Sequence, residues 1–232
     1  MKIAVLTSLF GSNSALRSLT DEENGYGVDY YAFVDRKHEG STGWNQIVSP
    51  EYSYEPVWVH RRNAKIYKIL PDLFLPDYDV HIWIDSGHIV IKNPHVICDE
   101  NLGNSDIAIF SHPLRVCAYS EAQTVDALKI EHRDILSQQL QYFRSVGFPR
   151  NDGLYEMGCF VRRKNDITSK MGLMWWEMIC RFSSRDQISF PYVLWKLKDD
   201  IKISKLSGHI GCYGGGNEIC IYGQQPELVK KY

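Results

Sequence analysis

The stretch Asp77-Tyr78-Asp79-Val80-His81-Ile82-Trp83-Ile84-Asp85-Ser86-Gly87-His88-Ile89-Val90-Ile91 decides the fold. An apolar, β-rich run is ended by a carboxylate, two small residues and a His, and a second apolar run follows. This pattern predicts a buried strand, a sharp turn and a second strand, a central hairpin. In an open α/β sheet, ligands bind beyond the carboxyl ends of the strands, so Asp85 at this point faces a ligand crevice. Asp-Ser-Gly is also ordinary turn chemistry, and on these residues alone Asp85 and Gly87 fit either purpose.

Immediately upstream, residues 61–70 (Arg-Arg-Asn-Ala-Lys-Ile-Tyr-Lys-Ile-Leu) read as a helix with Ile66, Ile69 and Leu70 on its apolar stripe. Arg61, Lys65 and Lys68 share another face, with Arg62 beside it. That face is either a cationic wall for a diphosphate or a solvated helix surface. Toward the N-terminus, residues 2–7 predict a first strand ending at Thr7, and the Ser, Gly and Asn of residues 8–14 a loop able to cradle a nucleotide. Residues 28–34 predict a second strand that stops at Asp35, a carboxylate suited to a base or ribose, or else part of a solvated charge cluster. Short β-like pieces follow within 44–60.

Downstream, residues 106–110 predict a strand with His112 at its exit, and 119–146 one or two helices. Residues 154–161 predict a strand containing Glu156 and interrupted by Gly158, where something approaches the backbone closely. Residues 166–182 form a helix with Trp175 and Trp176 in the core. Ser183, Ser184 and Asp186 carry a helix-start signature, so Asp186 is either a functional carboxylate or a complement to a helix N-terminus. The segment 207–216 is too rich in Gly for regular structure, and His209 within it points to a ligand rather than to packing.

With 232 residues, 44% hydrophobic and 23% charged, the chain fits one well-buried unit spanning 1–232 and excludes a disordered chain. A net charge of −2 argues against a nucleic-acid partner. No run reaches membrane-spanning length, and the N-terminus reads as a strand rather than a leader, which together imply a cytoplasmic protein. The six cysteines show no metal spacing and are expected as buried free thiols.

The residues 62–68, 82–86, 112–115 with 119–122, 155–158 and 185–193 resemble the TOD/MUCI-type glycosyltransferase-like domains. A chlorella-virus capsid-glycan glycosyltransferase domain looks similar. The resemblance implies a single-domain α/β fold of the GT-A type, binding a nucleotide sugar on a mixed, mostly parallel central sheet flanked by helices, with the Gly-rich segment at about 206–232 closing the site. It implies a nucleoside diphosphate sugar donor, a UDP-sugar first, and a glycan or glycoprotein acceptor. By this resemblance Asp85 matches the first Asp of an Asp-x-Asp motif, Asp186 and Gln187 a later acidic pair of positions, and His209 a late His. Gly87 stands where the second Asp belongs, which puts dependence on Mn²⁺ or Mg²⁺ in question; Asp85 and His209 are the candidate ligands. Thr7, Asp35, Arg62, Lys65, Asp85, Ser86 and Gln187 are the candidate donor-binding residues. Asp186 is the first choice of catalytic base, with Glu156 and His112 in reserve. A ceramidase-like amidase and a non-catalytic nucleotide-sugar-binding module are the alternatives.

Overall fold

The computed structural model describes residues 1–11, 15–50, 59–210 and 216–223. The run Val80–Ile84 is strand β4, and all of its side chains are buried, as a strand covered on both faces requires. In chain order the elements are β1 (Ile3–Leu9), α1 (Asp21–Gly25), β2 (Asp29–Val34), β3 (Asn45–Val48), α2 (Val59–Ile69), α3 (Pro71–Phe74), β4 and β5 (His88–Val90). There follow α4 (Pro94–Ile97), β6 (Ile107–Ser111), α5 (Ala118–Ala127), α6 (Arg133–Ser145), β7 (Tyr155–Arg163), α7 (Asp166–Arg181), α8 (Asp186–Lys196), β8 (Ile203–Leu206) and β9 (Cys220–Tyr222).

Seven strands form one sheet in the order β3-β2-β1-β4-β7-β6-β8. β1 pairs in parallel with β2 and β4, β2 with β3, and β6 with β8, whereas β7 is antiparallel to both β4 and β6. This is the expected mixed, mostly parallel sheet. The expected hairpin is not formed. Both edges of β4 are taken by β1 and β7, so β5 leaves the sheet and pairs with β9 in a separate two-stranded ribbon.

Side chains alternate across the strands with period two. Ile3, Val5, Val80, Ile82 and Ile84 join one core layer with Leu16, Leu19, Ile97 and Leu102. Ala4, Leu6 and Trp83 join the other, beneath Ile66 and Ile69 of α2, Met171 and Trp175 of α7 and Ile188 and Phe190 of α8. Trp175 is wholly buried and Trp176 packs against the same layer. Cys98, Cys117, Cys159 and Cys220 are buried free thiols and Cys180 is an exposed one. Cys212 and much of the Gly-rich closing segment, residues 211–215 and 224–232, lie outside the described residues, as do residues 12–14 and 51–58. No helix among the described residues is long and apolar enough to cross a membrane.

Candidate functional site

β7 runs against its neighbours, so its first residues lie beside the last residues of β4 and β6. Strand ends distant in sequence therefore share one edge of the sheet: Asp35 after β2, Asp85 after β4, His112 after β6, Glu156 at the start of β7 and His209 after β8. This is the carboxyl edge where ligands of open α/β sheets bind.

Alternation along β4 places Asp85 on the Trp83 side, the side that α2 covers. Trp83 Nε1 donates to Asp85 Oδ1 at 2.9 Å, and Lys68 Nζ stands 3.9 Å from the same oxygen while lying 5.2 Å from the Trp83 ring centroid. The Asp85 side chain remains 53% exposed. Its backbone N–H donates to Gly158 O at 2.7 Å. A Cβ at Gly158 would come within 3.3 Å of Asp85 Oδ2 and 3.6 Å of Ile210. The close approach expected at this glycine is made by Asp85 itself.

Asp186 opens α8 and is buried, with Lys65 Nζ and Lys68 Nζ each 2.7 Å from its Oδ2. Burial alone would raise its pKa; Lys65 and then Lys68 outweigh that and hold the carboxyl well below the usual range. This opposes the expected role as base, because an anion held by two ammonium groups has little affinity for a third proton donor. The helix-start serines do not cap α8 either. Ser183 Oγ donates to Gln139 Oε1, and both the N–H and the hydroxyl of Ser184 donate to Glu131 Oε2.

Glu156 has the opposite character. Burial pushes its pKa up, against the lowering effect of the Ile210 N–H, which donates to Oε2 at 2.7 Å, and of His209, whose Nδ1 lies 4.0 Å away. His112 Nδ1 accepts the backbone N–H groups of Leu114 and Arg115, at 3.1 and 3.0 Å. Arg115 Nη2, which can only donate, stands 3.2 Å from Nε2, so the second ring nitrogen also faces a donor and is not open to a substrate proton. Burial and the neighbouring Arg115 guanidinium lower its pKa. His112 is therefore unsuited to the reserve role of base.

Two expected donor contacts serve the fold instead. Arg62 is buried and donates to Ile179 O at 3.1 Å and Phe182 O at 2.8 Å, closing the carboxyl end of α7. Thr7 is fully buried within β1, paired in register with Ala32, and presents no surface to a ligand. Asp35 Oδ2 accepts the Gly11 N–H at 2.7 Å. Gln187 donates to Tyr155 O at 3.0 Å, tying α8 to the start of β7. Ser86 is half-buried in the turn after Asp85. Contacts thus close a ring from Asp85 through Lys68 to Asp186 and Gln187, on to Tyr155 and Glu156, to Ile210, and back past Gly158 to Asp85.

Sequence reasoning missed the support behind this ring. Arg17 donates to both Glu23 oxygens, at 2.7 and 2.6 Å, and to His88 O at 2.7 Å, while Glu23 Oε1 accepts the Val90 N–H. Glu23 is the third helical residue of a capping box begun by Thr20, and that Thr-x-x-Glu spacing was the available signal.

Among the described residues no three His, Cys, Asp or Glu side chains stand close enough to hold an ion together. Asp85 fits a different arrangement, in which one exposed, oriented carboxylate contacts Mn²⁺ or Mg²⁺ and donor phosphates and water complete the shell. His209, expected to share the ion, turns Nδ1 toward Glu156, which leaves its Nε2 for a ligand. Gly87 is glycine for a local reason. A Cβ there would come within 2.7 Å of the Tyr222 ring, and Gly223 N–H donates to Gly87 O.

The chain is 27% identical over 190 residues to the probable hexosyltransferase MUCI70 of Arabidopsis thaliana, an alignment covering 72% of this chain and 32% of that protein. It thus spans about a third of the length of the curated relative it matches. Among solved structures, the bifunctional glycosyltransferase WbbM superposes with a TM-score of 0.54 at 12% identity, covering 94% of this chain and 41% of that one. Mouse xyloside xylosyltransferase 1 superposes with a TM-score of 0.52 at 8% identity, covering 96% and 97%. These likenesses show the fold, that of the GT-A glycosyltransferases. The profile described as TOD1/MUCI70, glycosyltransferase-like domain, matches residues 3–207, ending just before His209. The chain belongs to the TOD1/MUCI70 glycosyltransferase-like domain family.

Proposed function

We propose that this domain transfers a sugar from a nucleoside diphosphate sugar, a UDP-sugar first, to a hydroxyl of a glycan or glycoprotein acceptor. The observation that carries the reading is the ring of contacts at the carboxyl edge, which joins an exposed oriented carboxylate, Asp85, to a carboxyl of raised proton affinity, Glu156. In the reaction the acceptor oxygen bonds to the anomeric carbon, the bond from that carbon to the diphosphate oxygen breaks, and the electron pair departs with the diphosphate. Glu156 receives the acceptor proton at a carboxylate oxygen. Asp85 is assigned to the diphosphate side and would hold a divalent ion, which when bound would supply charge to offset the leaving diphosphate. Asp186, Lys65 and Lys68 form the fixed floor between them, and Asp35 is assigned to the ribose or base.

The reading is tested by calorimetry with UDP-, GDP- and dTDP-sugars in Mn²⁺, followed by assay of nucleoside diphosphate release with and without glycan acceptors. Binding of one donor class, with release that rises with acceptor, is the expected result. No heat with any donor, or cleavage of ceramide in place of transfer, refutes it.

A further inference from the structure

His88 lies three residues after Asp85 and takes no part in the ring of contacts around the site. The turn Asp85-Ser86-Gly87-His88 is closed by the His88 N–H donating to Asp85 O at 2.9 Å, which brings its first and fourth residues together. Arg17 Nε donates to His88 O at 2.7 Å, and Glu23 Oε1 accepts the Val90 N–H at 3.0 Å. The network behind the site thus fixes the backbone that carries the imidazole, and Tyr222 packs edge-on against it at 5.5 Å between centroids. His88 is only 7% exposed, and its Nδ1 is buried with no hydrogen-bond partner among the described residues. A buried polar nitrogen left unsatisfied is costly and calls for an explanation.

The missing side chain of Gly158 supplies one. The point that a Cβ would occupy there lies 3.3 Å from Asp85 Oδ2, 3.6 Å from Ile210 and 3.7 Å from His88 Cε1, the carbon between the two ring nitrogens. The imidazole therefore turns its nitrogen-bearing edge toward the same gap as Asp85 Oδ2. Trp83 Nε1 and Lys68 Nζ both address Oδ1, which leaves Oδ2 to face that gap. Of the charges acting on the imidazole, Asp85 acts most strongly. A carboxylate oxygen and an imidazole edge that meet over a glycine are a donor pair for one divalent cation. The pair also discriminates between ions. Mg²⁺ keeps oxygen ligands and water, whereas an imidazole nitrogen favours a transition ion.

We propose that Asp85 and His88 hold one Mn²⁺ between them, an Asp-x-x-His pair at the turn where Gly87 interrupts an Asp-x-Asp motif, with the diphosphate and water completing the shell. The inference rests on the glycosyltransferase reading and deepens it by naming the ion and its second protein ligand. His88 binds the ion and moves no proton.

The test uses the whole chain with Mn²⁺ and UDP and needs no turnover. Pulsed electron paramagnetic resonance reads the modulation from a nitrogen bonded to Mn²⁺, and labelling histidine with heavy nitrogen identifies that nitrogen as imidazole. The modulation is expected in the parent, retained in His209→Gln and lost in His88→Gln. By calorimetry His88→Gln is expected to weaken Mn²⁺ about tenfold or more, at least what losing an outer-shell partner costs. Mg²⁺ is expected to weaken much less, so the preference for Mn²⁺ shrinks. Should His88→Gln fail to fold, His209→Gln decides alone, since loss of its nitrogen signal assigns the ligand to His209 and retention supports His88. Bound Mn²⁺ without nitrogen modulation in the parent, an unchanged signal in His88→Gln, or donor binding with no bound Mn²⁺ overturns the inference and leaves the transferase reading standing. Failure of UDP and of every donor sugar to bind removes the inference together with the reading beneath it.

Discussion

Lys68 and Asp186 meet at 2.7 Å with the lysine side chain only 4% exposed, and the same ammonium lies 3.9 Å from Asp85. A helix that precedes the central strand and a helix that comes a hundred residues later are thereby fastened at the base of one site. Removing the carboxylate takes the shared counterion from both ammonium groups and leaves the buried Lys68 only the more distant Asp85. Asp186→Asn is accordingly expected to cost about 3–5 kcal/mol of stability, the usual scale for breaking a buried pair from one side. Chemical denaturation of Asp186→Asn, Lys68→Met and the double variant measures this, and the double variant is expected to be less destabilised than the two single costs added together. The pH dependence has a definite sign. Because the Asp186 pKa is depressed in the fold, its contribution is present above the unfolded aspartate value and is lost as pH falls through the folded one. Additive single and double variants would show that the contact carries no coupling.

Glu156 is expected to set the acid side of the pH profile. Its pKa is raised above the ordinary glutamate value of 4.5, chiefly by burial, so transfer is expected to fall on acidification with a midpoint above that value. Glu156→Gln keeps an acceptor for the Ile210 N–H but cannot take a proton, and kcat is expected to drop by about 10²–10⁴-fold with donor affinity retained. Stability moves the other way. A carboxyl whose folded pKa is raised contributes fully below its unfolded pKa and loses that contribution as pH rises through the folded one. Glu156→Gln therefore unfolds at least as high as the parent at neutral pH. A variant with normal turnover would pass the proton to another group.

The sheet, its strand ends and most helices were legible because they rest on local signals: apolar runs, period-two and period-three-to-four spacing, and glycines at turns. The edge on which Asp35, Asp85 and Glu156 gather was legible for the same reason, since each follows or begins a predicted strand, whereas His209 was read only from its Gly-rich loop and the strand before it, β8, was not foreseen. What each side chain does there was not. Asp186 and Arg62 have the composition of site residues, yet one is consumed by Lys65 and Lys68 and the other by the carbonyls of Ile179 and Phe182. Those partners come from elements more than a hundred residues away, and no local pattern encodes such a pairing. The lost hairpin has the same cause, because the partner of β5 is β9, at the far end of the described chain.

Arg62 gives a direct test of that distinction. Its two hydrogen bonds to the last turn of α7 are charge-assisted, and Arg62→Met is expected to cost about 1.5–3 kcal/mol or more while preserving the buried stem. Donor affinity per folded molecule is expected to remain within about a factor of two, well short of the tenfold that a lost charge contact produces. Calorimetry on the folded fraction, alongside thermal unfolding, separates the two effects. A large loss of donor affinity at unchanged stability would return Arg62 to the ligand.

Gly87 and Tyr222 make the departure from an Asp-x-Asp pattern a matter of packing. The turn after β4 and the ribbon strand β9 are held by Gly223 N–H donating to Gly87 O at 2.8 Å, and the Tyr222 ring lies in the space that a side chain at 87 would need. The same ring meets His88 edge-on at 5.5 Å between centroids. Gly87→Ala therefore has to displace an aromatic side chain, and a cost of about 1–3 kcal/mol is expected, in the range of overpacking. In a Tyr222→Ala background the space is vacant and the same substitution is expected to cost less than about 0.5 kcal/mol, so the two sites show strong coupling in a double-mutant cycle. Gly87→Asp extends the argument to chemistry. Alone it is expected to fold poorly, whereas Gly87→Asp with Tyr222→Ala brings a second carboxylate beside Asp85 and is expected to bind Mn²⁺ more tightly than the parent, as titration with the ion alone measures. Equal destabilisation by Gly87→Ala in both backgrounds would show that the turn backbone, and not the Tyr222 ring, demands glycine at this position.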